Sequence, residues 1–393
     1  MKFDHIKNLY GDYILNTYIK QDICIVKGTD VCVEDINGKK YIDFCPRWAV
    51  SGIGHCNKHV KKMIKNQLER IIHVSNNYYN DVQPMLAKKI IDYSFPGKVF
   101  FANSGAEANE GAIKLARKYG EGKRFEIICM KGSFHGRTMA TLTATGQDKV
   151  KKGFHPLVEG FKHIDFNDKD AFKSAINDKT IAVIIEIIQG EGGINVADDD
   201  YLKLIEDVCA KKDMLLIVDE VQTCMGRTGK MFAYQHYGIT PSCMTLAKSL
   251  AGGLPLGALV VGDKFKDVLT PGTHASTFGG GPVVSAASLG VFEAIEEGNL
   301  MENASKMGKY MVSKLEKIKI KTNKIKEIKG KGLMIGVSID LKDASIIVDK
   351  CAEDGLLINC TQNNILRVMP PITVKKEHID RAMTILGKVI NRI

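Results

Sequence analysis

Apolar positions in the central part of this chain come in short unbroken runs rather than alternating with polar ones. The runs are "KVFFANSG", "FEIICMKG", "IAVIIEII", "MLLIVDE", "CMTLAK" and "LGALVVGD". Each is bounded by turn chemistry and separated from the next by a helical stretch. Strands that are apolar on both faces and alternate with helices predict a mostly parallel sheet covered on both sides. Upstream, "ICIVKG", "DVCVEDING" and "KKYIDF" read as a short β-meander with a turn at "DING". "KHVKKMIKNQLERI" has a helical period. Downstream, "VVSAASLGVFEAIEEGNLMENASKMGKYMVSKLEKI" reads as one long helical stretch. A strand–helix–strand–strand–helix unit follows: "GLMIGVSID", "DASIIVDKCAEDG", "LLINC", "NILRVMPP" and "EHIDRAMTILGKVI". The pattern predicts an α/β protein with a large domain over 58–285. A smaller α+β domain is expected over 286–393, joined by the N-terminal segment 1–57.

Composition narrows the picture without redirecting it. The chain has 393 residues, 45% hydrophobic and 25% charged, as expected of a soluble globular protein with two or three domains. Its formal net charge is +10. The lysines are scattered or sit in runs such as "KIKIKTNKIKEIKGKG" without interleaved aromatics, which predicts a solvated face rather than a nucleic-acid surface. The ten cysteines include no Cys-x-x-Cys pair, so neither a metal site nor a disulfide framework is expected. "MKFDHIKNLYGDYILNTY" lacks the apolar core of a secretion signal, and no span of ~20 apolar residues occurs. The expectation is a cytoplasmic enzyme with reduced thiols and no membrane or nucleic-acid partner.

In open α/β sheets ligands bind at the carboxyl ends of the strands, so the residues after each run carry the chemistry. After "KVFFA" comes "NSGAEANEGAIKLARKYG". Asn103, Ser104 and Gly105 form a turn, and a helix begins at about Ala106. Unpartnered first-turn N–H groups and the helix dipole suit a phosphate there, with the Ser104 hydroxyl as a further donor. The alternative is that Ser104 or Asn103 simply caps the helix. After "MLLIV" comes Asp219-Glu220, then Gln222. A carboxylate at the end of a buried strand needs a cation. Magnesium in a nucleotide hydrolase would require a Gly-x-x-x-x-Gly-Lys-Ser/Thr loop, which the chain lacks. "GIGHCN" fails as a dinucleotide fingerprint.

Lys248 lies in "MTLAKSLAGG", between an apolar run and a glycine pair. A desolvated lysine loses its proton more readily, and a neutral amine condenses with aldehydes. The alternative is a helix-start lysine snorkelling to water. Together the three fragments ask for a ligand with a phosphate, an aldehyde and a basic ring nitrogen. Pyridoxal 5′-phosphate (PLP) has all three. A nucleotide-hydrolysing protein and a non-catalytic binding protein are the rival readings.

The segments "NSGAEANEGAIKLAR", "KGSFHGRT", "IIEIIQGEGG", "LLIVDEVQTCMGRTGKMFA", "TLAKSLAGGLPLGA" and "STFGGGP" strongly resemble the class III, or ω-amino-acid, aminotransferases of PLP fold type I. The resemblance runs from about residue 30 to the C-terminus, and its acetylornithine-converting members are the most similar. It implies Lys248 as the Schiff-base lysine and proton shuttle, with Asp219 paired to the pyridinium nitrogen and Gln222 near the ring oxygen. Ser104, Gly105 and Ala106 are implied as phosphate ligands, Phe134 as the residue stacked on the ring, and Thr277 as a phosphate ligand for a neighbouring subunit in a homodimer. Arg367 matches the arginine for the α-carboxylate of glutamate, and Glu191 the acid that covers it while the other substrate is bound. Arg137 matches the arginine for the distal carboxylate of the amino donor. The implied reaction is ping-pong transamination from an ω-amino donor to 2-oxoglutarate, with N-acetylornithine preferred. Ornithine, succinyl-diaminopimelate and 4-aminobutyrate are the alternative donors. An intramolecular aminomutase needs no Glu191–Arg367 switch.

The chain departs from the family pattern at Ile187, at Gly281 and, most of all, at Pro46, Arg47 and Trp48. In the family that last segment lines the substrate entrance, so Arg47 or Trp48 is expected either to alter donor choice or to pack at the domain boundary.

Overall fold

The computed structural model describes residues 2–46 and 48–393; Arg47, singled out above, lies outside the described residues. The central runs form a seven-stranded sheet. Its spatial order is Gly97–Ala102, Gly257–Gly262, Cys243–Leu246, Leu215–Asp219, Thr180–Ile185, Glu126–Met130 and Phe161–Ile164. Only Gly257–Gly262 runs antiparallel to its neighbours; the remaining pairings are parallel. Successive residues point to opposite faces, and both faces are covered. Val183, Ile185, Leu216, Val218, Met244 and Val260 belong to one apolar cluster, while Ile184, Leu215, Ile217, Cys243 and Leu259 belong to a second. This is why the runs show no polar alternation. The fold is α/β with a large mixed, mostly parallel sheet, as the runs predicted.

A smaller antiparallel sheet comes from the C-terminal part, in the order Ile325–Lys331, Met334–Ile339, Ile365–Val368 and Asn359–Thr361. The helices Ser345–Glu353 and Lys376–Arg392 accompany it. Its edge strand Ile325–Lys331 lies inside the lysine-rich tract read as a solvated face. Charged side chains on an exposed edge prevent further strand pairing, and the apolar count of that segment was too low to signal a strand. The predicted N-terminal meander is present as Ile25–Thr29, Cys32–Asp35 and Lys40–Asp43. Leu356–Leu357 completes it by pairing parallel with Lys40–Asp43.

Two elements differ from the sequence reading. The long helical stretch is two helices, Pro282–Glu297 and Leu300–Thr322, broken at Gly298-Asn299 where Asn299 adopts φ +47°. Asparagine tolerates that left-handed turn better than most residues. The helix Phe3–Tyr13 was not anticipated and buries none of its residues. The apolar side chains of Tyr13, Ile14, Leu15, Tyr18 and Ile19 are exposed beside it.

The parts are tied by polar contacts that only the fold creates. Arg227, 1% exposed, donates through Nη1 to the carbonyls of Leu333 and Pro370, joining the loop after Asp219 to the C-terminal sheet. Burial lowers its pKa to about 10. His59 reaches Glu293 through Nδ1 at 3.3 Å and Glu297 through Nε2 at 3.8 Å. The two carboxylates address different ring nitrogens, which makes this a helix–helix clamp. Where Leu300–Thr322 crosses the turn before Met334–Ile339, Gly308 allows backbone contact: a Cβ there would collide with the carbonyl and Cα of Gly332.

Gly308→Ala is therefore expected to destabilise the protein by about 2–3 kcal/mol through overpacking against immobile backbone. Gly11→Ala, at a helical site with nothing within 4 Å, should be neutral or slightly stabilising. Thermal denaturation of both variants checks this; equal melting temperatures would refute the crossing argument.

Candidate active site

Five strand ends deliver the candidate residues to one edge of the large sheet. Ser104 follows Gly97–Ala102, Phe134 and His135 follow Glu126–Met130, Glu186 follows Thr180–Ile185, Asp219 ends Leu215–Asp219, and Lys248 follows Cys243–Leu246. The strand carrying Ser104 is antiparallel to Gly257–Gly262, as is the strand before Lys248. The two therefore point the same way, and their carboxyl ends coincide.

Lys248 opens a single 3₁₀ turn, Lys248–Ala251, with φ +50°. A left-handed backbone costs a non-glycine residue roughly 1–2 kcal/mol, so the surrounding structure holds it there. Among the described residues its amine makes neither a hydrogen bond nor an ion pair. Burial is the largest influence on that amine and lowers its pKa; the charges of Glu191, Asp219 and Glu186 oppose the shift, and Arg367 reinforces it. The side chain is half-buried, and the amine lies among three acids and an arginine.

Asp219 is 4% exposed. Its Oδ2 accepts from Asn109 Nδ2 and from His135 Nδ1, both at 2.8 Å, and its Oδ1 accepts from the Val221 backbone at 3.0 Å. Three donors thus converge on one carboxyl group. A carboxylate oxygen accepts, so the His135 nitrogen that faces it is the donor, Nδ1–H; its buried Nε2 has no partner among the described residues. Asn109 is itself oriented, since its Oδ1 accepts from Thr245 Oγ1 at 2.7 Å and its Nδ2 also donates to the His135 carbonyl at 2.8 Å. Neither His135 nor Asn109 was identified from sequence. The available signal was an asparagine at a buried position of the helix Gly105–Tyr119, beside Ala108 and Ala112.

Glu186 was missed as well. It is buried, and its two oxygens serve different loops: Oε2 accepts from the Phe134 backbone at 3.0 Å and Oε1 from the Gly190 backbone at 3.2 Å. Burial pushes its pKa up to about 7, with the Asp219 charge adding to the rise and His135 opposing it.

Ser104 is the N-cap, and its Oγ accepts from Glu107 N at 3.2 Å. Glu107 in turn accepts from the backbone and side-chain nitrogens of Asn103, both at 2.8 Å. An accepting hydroxyl still has its own proton to donate, and the first-turn N–H groups of Gly105 and Ala106 have no acceptor inside the helix. A Cβ at Gly105 would stand 2.8 Å from Val221, so the cradle is pressed against the loop that follows Asp219. Thr277 is exposed. It makes no hydrogen bond to this cradle; its neighbour Ser276 instead accepts from Asn103 Nδ2 at 3.3 Å.

The remaining candidates surround these groups. Phe134 is half-buried, and the exposed Arg137 lies with its guanidinium 5.4 Å from the centre of that ring. Gln222 is buried; its Nε2 donates at 3.4 Å to the Trp48 carbonyl, and its Oε1 has no partner among the described residues. Trp48 and Ala49 adopt φ +53° and +73°, and the Ala49 carbonyl accepts from Ser249 Oγ, next to Lys248. Trp48 and Ala49 thus touch the site through their backbone, while the Trp48 side chain stays 44% exposed. Arg367 is 1% exposed. Its Nη1 meets Glu191 Oε1 at 2.5 Å and the Gly190 carbonyl at 3.2 Å, and its Nε meets Asn359 Oδ1 at 2.9 Å.

This donor set fits PLP. Free N–H groups at a helix start suit its phosphate, an amine whose pKa burial lowers suits its aldehyde, and a triply held carboxylate suits its ring nitrogen. The orphaned buried Gln222 Oε1 is a polar atom in want of a partner.

Comparison with known proteins agrees. The pattern of the family "Aminotransferase class-III" matches residues 15–390. An acetylornithine aminotransferase of Caldanaerobacter subterraneus is 50% identical over 385 residues, covering 97% of this chain and 98% of that protein. One of Methanocaldococcus jannaschii is 49% identical, covering 98% of each. The ornithine aminotransferase of Toxoplasma gondii, whose structure records partial occupancy of PLP at its active site, superposes with a TM-score of 0.95 at 31% identity. That match covers 99% of this chain and 94% of the other. With this fold, this edge of the sheet and these relatives, the chain belongs to the class-III aminotransferases and is a PLP-dependent enzyme.

Proposed function

We propose that the chain transfers the ω-amino group of N-acetylornithine to 2-oxoglutarate, a step of arginine biosynthesis. The observation that carries the two-substrate reading is the 2.5 Å pair between Arg367 and Glu191. An ω-amino donor presents its reacting amine with no carboxylate on the same carbon, whereas glutamate presents both together. A buried arginine left uncovered would draw the donor's distant carboxylate into the wrong place, so an enzyme that alternates between the two substrates needs a removable cover. The acetylornithine aminotransferases at 49–50% identity support the acetylated donor over ornithine.

When bound, PLP supplies an aldehyde for the donor amine and a protonated ring that withdraws electrons from the substrate carbon. In this reading Lys248 Nζ would hold the cofactor, with Ser104, Gly105 and Ala106 on its phosphate and Thr277 of a second copy beside them. Asp219, held in place by Asn109, His135 and Val221, would face the ring nitrogen and favour a proton there. Phe134 would lie against the ring, and Gln222 would hydrogen-bond the ring oxygen. The Lys248 amine would be the base that takes the proton from the substrate carbon bearing the amino group and returns it during the transfer. Arg137 orients the donor by its carboxylate, and Arg367, released by Glu191, orients glutamate by its α-carboxylate; a guanidinium fork suits both tasks.

We infer a cytoplasmic homodimer. The exposed Thr277 and Phe278 and the apolar surface following the helix Phe3–Tyr13 support a second copy. Among the described residues no helix is long and apolar enough to cross a membrane.

Glutamate formation from 2-oxoglutarate, measured with a panel of N-acetylornithine, ornithine, succinyl-diaminopimelate, 4-aminobutyrate and simple diamines, tests the assignment. The highest kcat/KM is expected for N-acetylornithine, and preference for another donor would reject it. Arg137→Ala should lower kcat/KM for carboxylated donors roughly 10–100-fold more than for diamines, the worth of a charged hydrogen-bonded contact. Equal losses would remove Arg137 from donor binding.

Lys248→Met tests the buried amine directly. Between the lowered pKa and 10.5 the unfolded chain binds a proton that the folded chain has released. This group therefore makes stability rise with pH in that window and costs stability below it. Cofactor-free Lys248→Met is expected to melt about 2 °C or more above cofactor-free wild type at pH 7. Its gain should shrink as the pH approaches 10.5, and borohydride should trap no cofactor on it. A lower melting temperature at pH 7 would contradict the desolvation argument.

A further inference from the structure

The Arg367–Glu191 pair is unequal in how its members are held. Arg367 is 1% exposed and Glu191 31%. The Glu191 backbone is clamped, since its carbonyl accepts from Thr361 Oγ1 at 2.8 Å and from Gln362 Nε2 at 2.9 Å. Its carboxylate has no other side-chain partner than Arg367 among the described residues. Uncovering the arginine therefore requires rotation of one side chain, with no movement of the loop. The arginine has to keep its place while the acid leaves, and Nη1 retains only the Gly190 carbonyl at that moment.

What fixes the other end of the guanidinium is Asn359. It sits directly opposite Arg367 across the antiparallel pair of strands Asn359–Thr361 and Ile365–Val368. Asn359 Oδ1 accepts from Arg367 Nε at 2.9 Å and from the Cys45 thiol at 3.3 Å. Two donors converge on one oxygen, so the carboxamide cannot flip: its NH₂ group would then face an N–H and an S–H. Cys45 stays a thiol, with its proton in place, because burial pushes its pKa up to about 11. It belongs to "DFCPRW", the segment in which this chain departs from its family, and it lies far from Asn359 in sequence. The chain Cys45–Asn359–Arg367 thus crosses from the N-terminal segment to the C-terminal sheet and ends on the Nε side, leaving the Nη edge to alternate between Glu191 and a carboxylate.

We propose that Asn359, itself oriented by the Cys45 thiol, is a positioning residue that holds the Arg367 guanidinium in register for the α-carboxylate of glutamate through each swing of Glu191. This rests on the reading of Arg367 as the α-carboxylate site.

Single-turnover half-reactions of the PLP-loaded enzyme test it, with absorbance of the bound cofactor followed separately for glutamate and for N-acetylornithine. Asn359→Leu removes the acceptor at similar volume. Asn359→Asp places a fixed negative charge against Nε and neutralises the arginine permanently. Each should weaken the half-saturation for glutamate at least about tenfold more than that for the acetylated donor, the range for losing a hydrogen bond to a charged group. Cys45→Ala should produce a smaller loss of the same selectivity, Cys45→Ser should restore it, and Cys45→Ala should add nothing in the Asn359→Leu background, as expected of two residues acting through one contact. Arg367→Ala is the reference. If it does not selectively impair glutamate, the reading of Arg367 is wrong. If it does, while both Asn359 variants lose the two half-reactions equally or not at all, the role of Asn359 alone is refuted. Should Asn359→Leu misfold, Asn359→Asp and the cysteine pair still decide the matter.

Discussion

Everything at this site depends on an amine that none of the acids around it pairs with. Burial lowers the pKa of Lys248 despite three carboxylates nearby. A fully paired lysine would be a stable cation and a poor nucleophile. The fold avoids direct pairing: Asp219 is occupied by Asn109, His135 and Val221, Glu186 by two backbone N–H groups, and Glu191 by Arg367. The acids are close enough to moderate the shift, and each is committed to another donor. The surrounding polar network keeps the amine reactive by using up the oxygens that would otherwise neutralise it.

The sheet makes that arrangement possible. Parallel strands end on one edge, so groups far apart in sequence arrive together without long connections. Glu186 shows the economy of this geometry. One buried carboxylate, just after its strand, holds both the loop carrying Phe134 and Arg137 and the loop carrying Gly190 and Glu191. The tight backbone approaches at Gly105 and at Gly308 belong to the same logic, since each brings a loop against a strand or helix where a side chain would intervene.

The switch at Arg367 follows the same rule of division of labour. The cation is buried and anchored at both ends, and the acid is only half-buried, on a clamped backbone about which its side chain alone has to turn. Moving the more exposed partner is the less costly choice, because an uncovered carboxylate is readily solvated, whereas a displaced buried guanidinium would have to be desolvated again at each turnover. The strained turn at Trp48 and Ala49 packs its carbonyls onto Gln222 and Ser249. Trp48 and Ala49 therefore enter the site as backbone, and Cys45 enters it as a thiol.

The sequence by itself determined the class of sheet, because unbroken apolar runs separated by helical stretches fit strands covered on both faces, and it determined the family, because the segments around Ser104, Asp219 and Lys248 keep that family's order and spacing. The break at Asn299 and the exposed helix Phe3–Tyr13 were illegible, since local periodicity does not reveal where a helix finds, or fails to find, a partner. His135, Asn109, Glu186 and Asn359 were equally hidden. Each acts through a single hydrogen bond to a residue distant in the chain, and their types are as common at turns and caps as in active sites. Only the tertiary structure decided which acids pair with which donors, since that depends on a few ångströms of separation between strand ends that no spacing along the chain encodes.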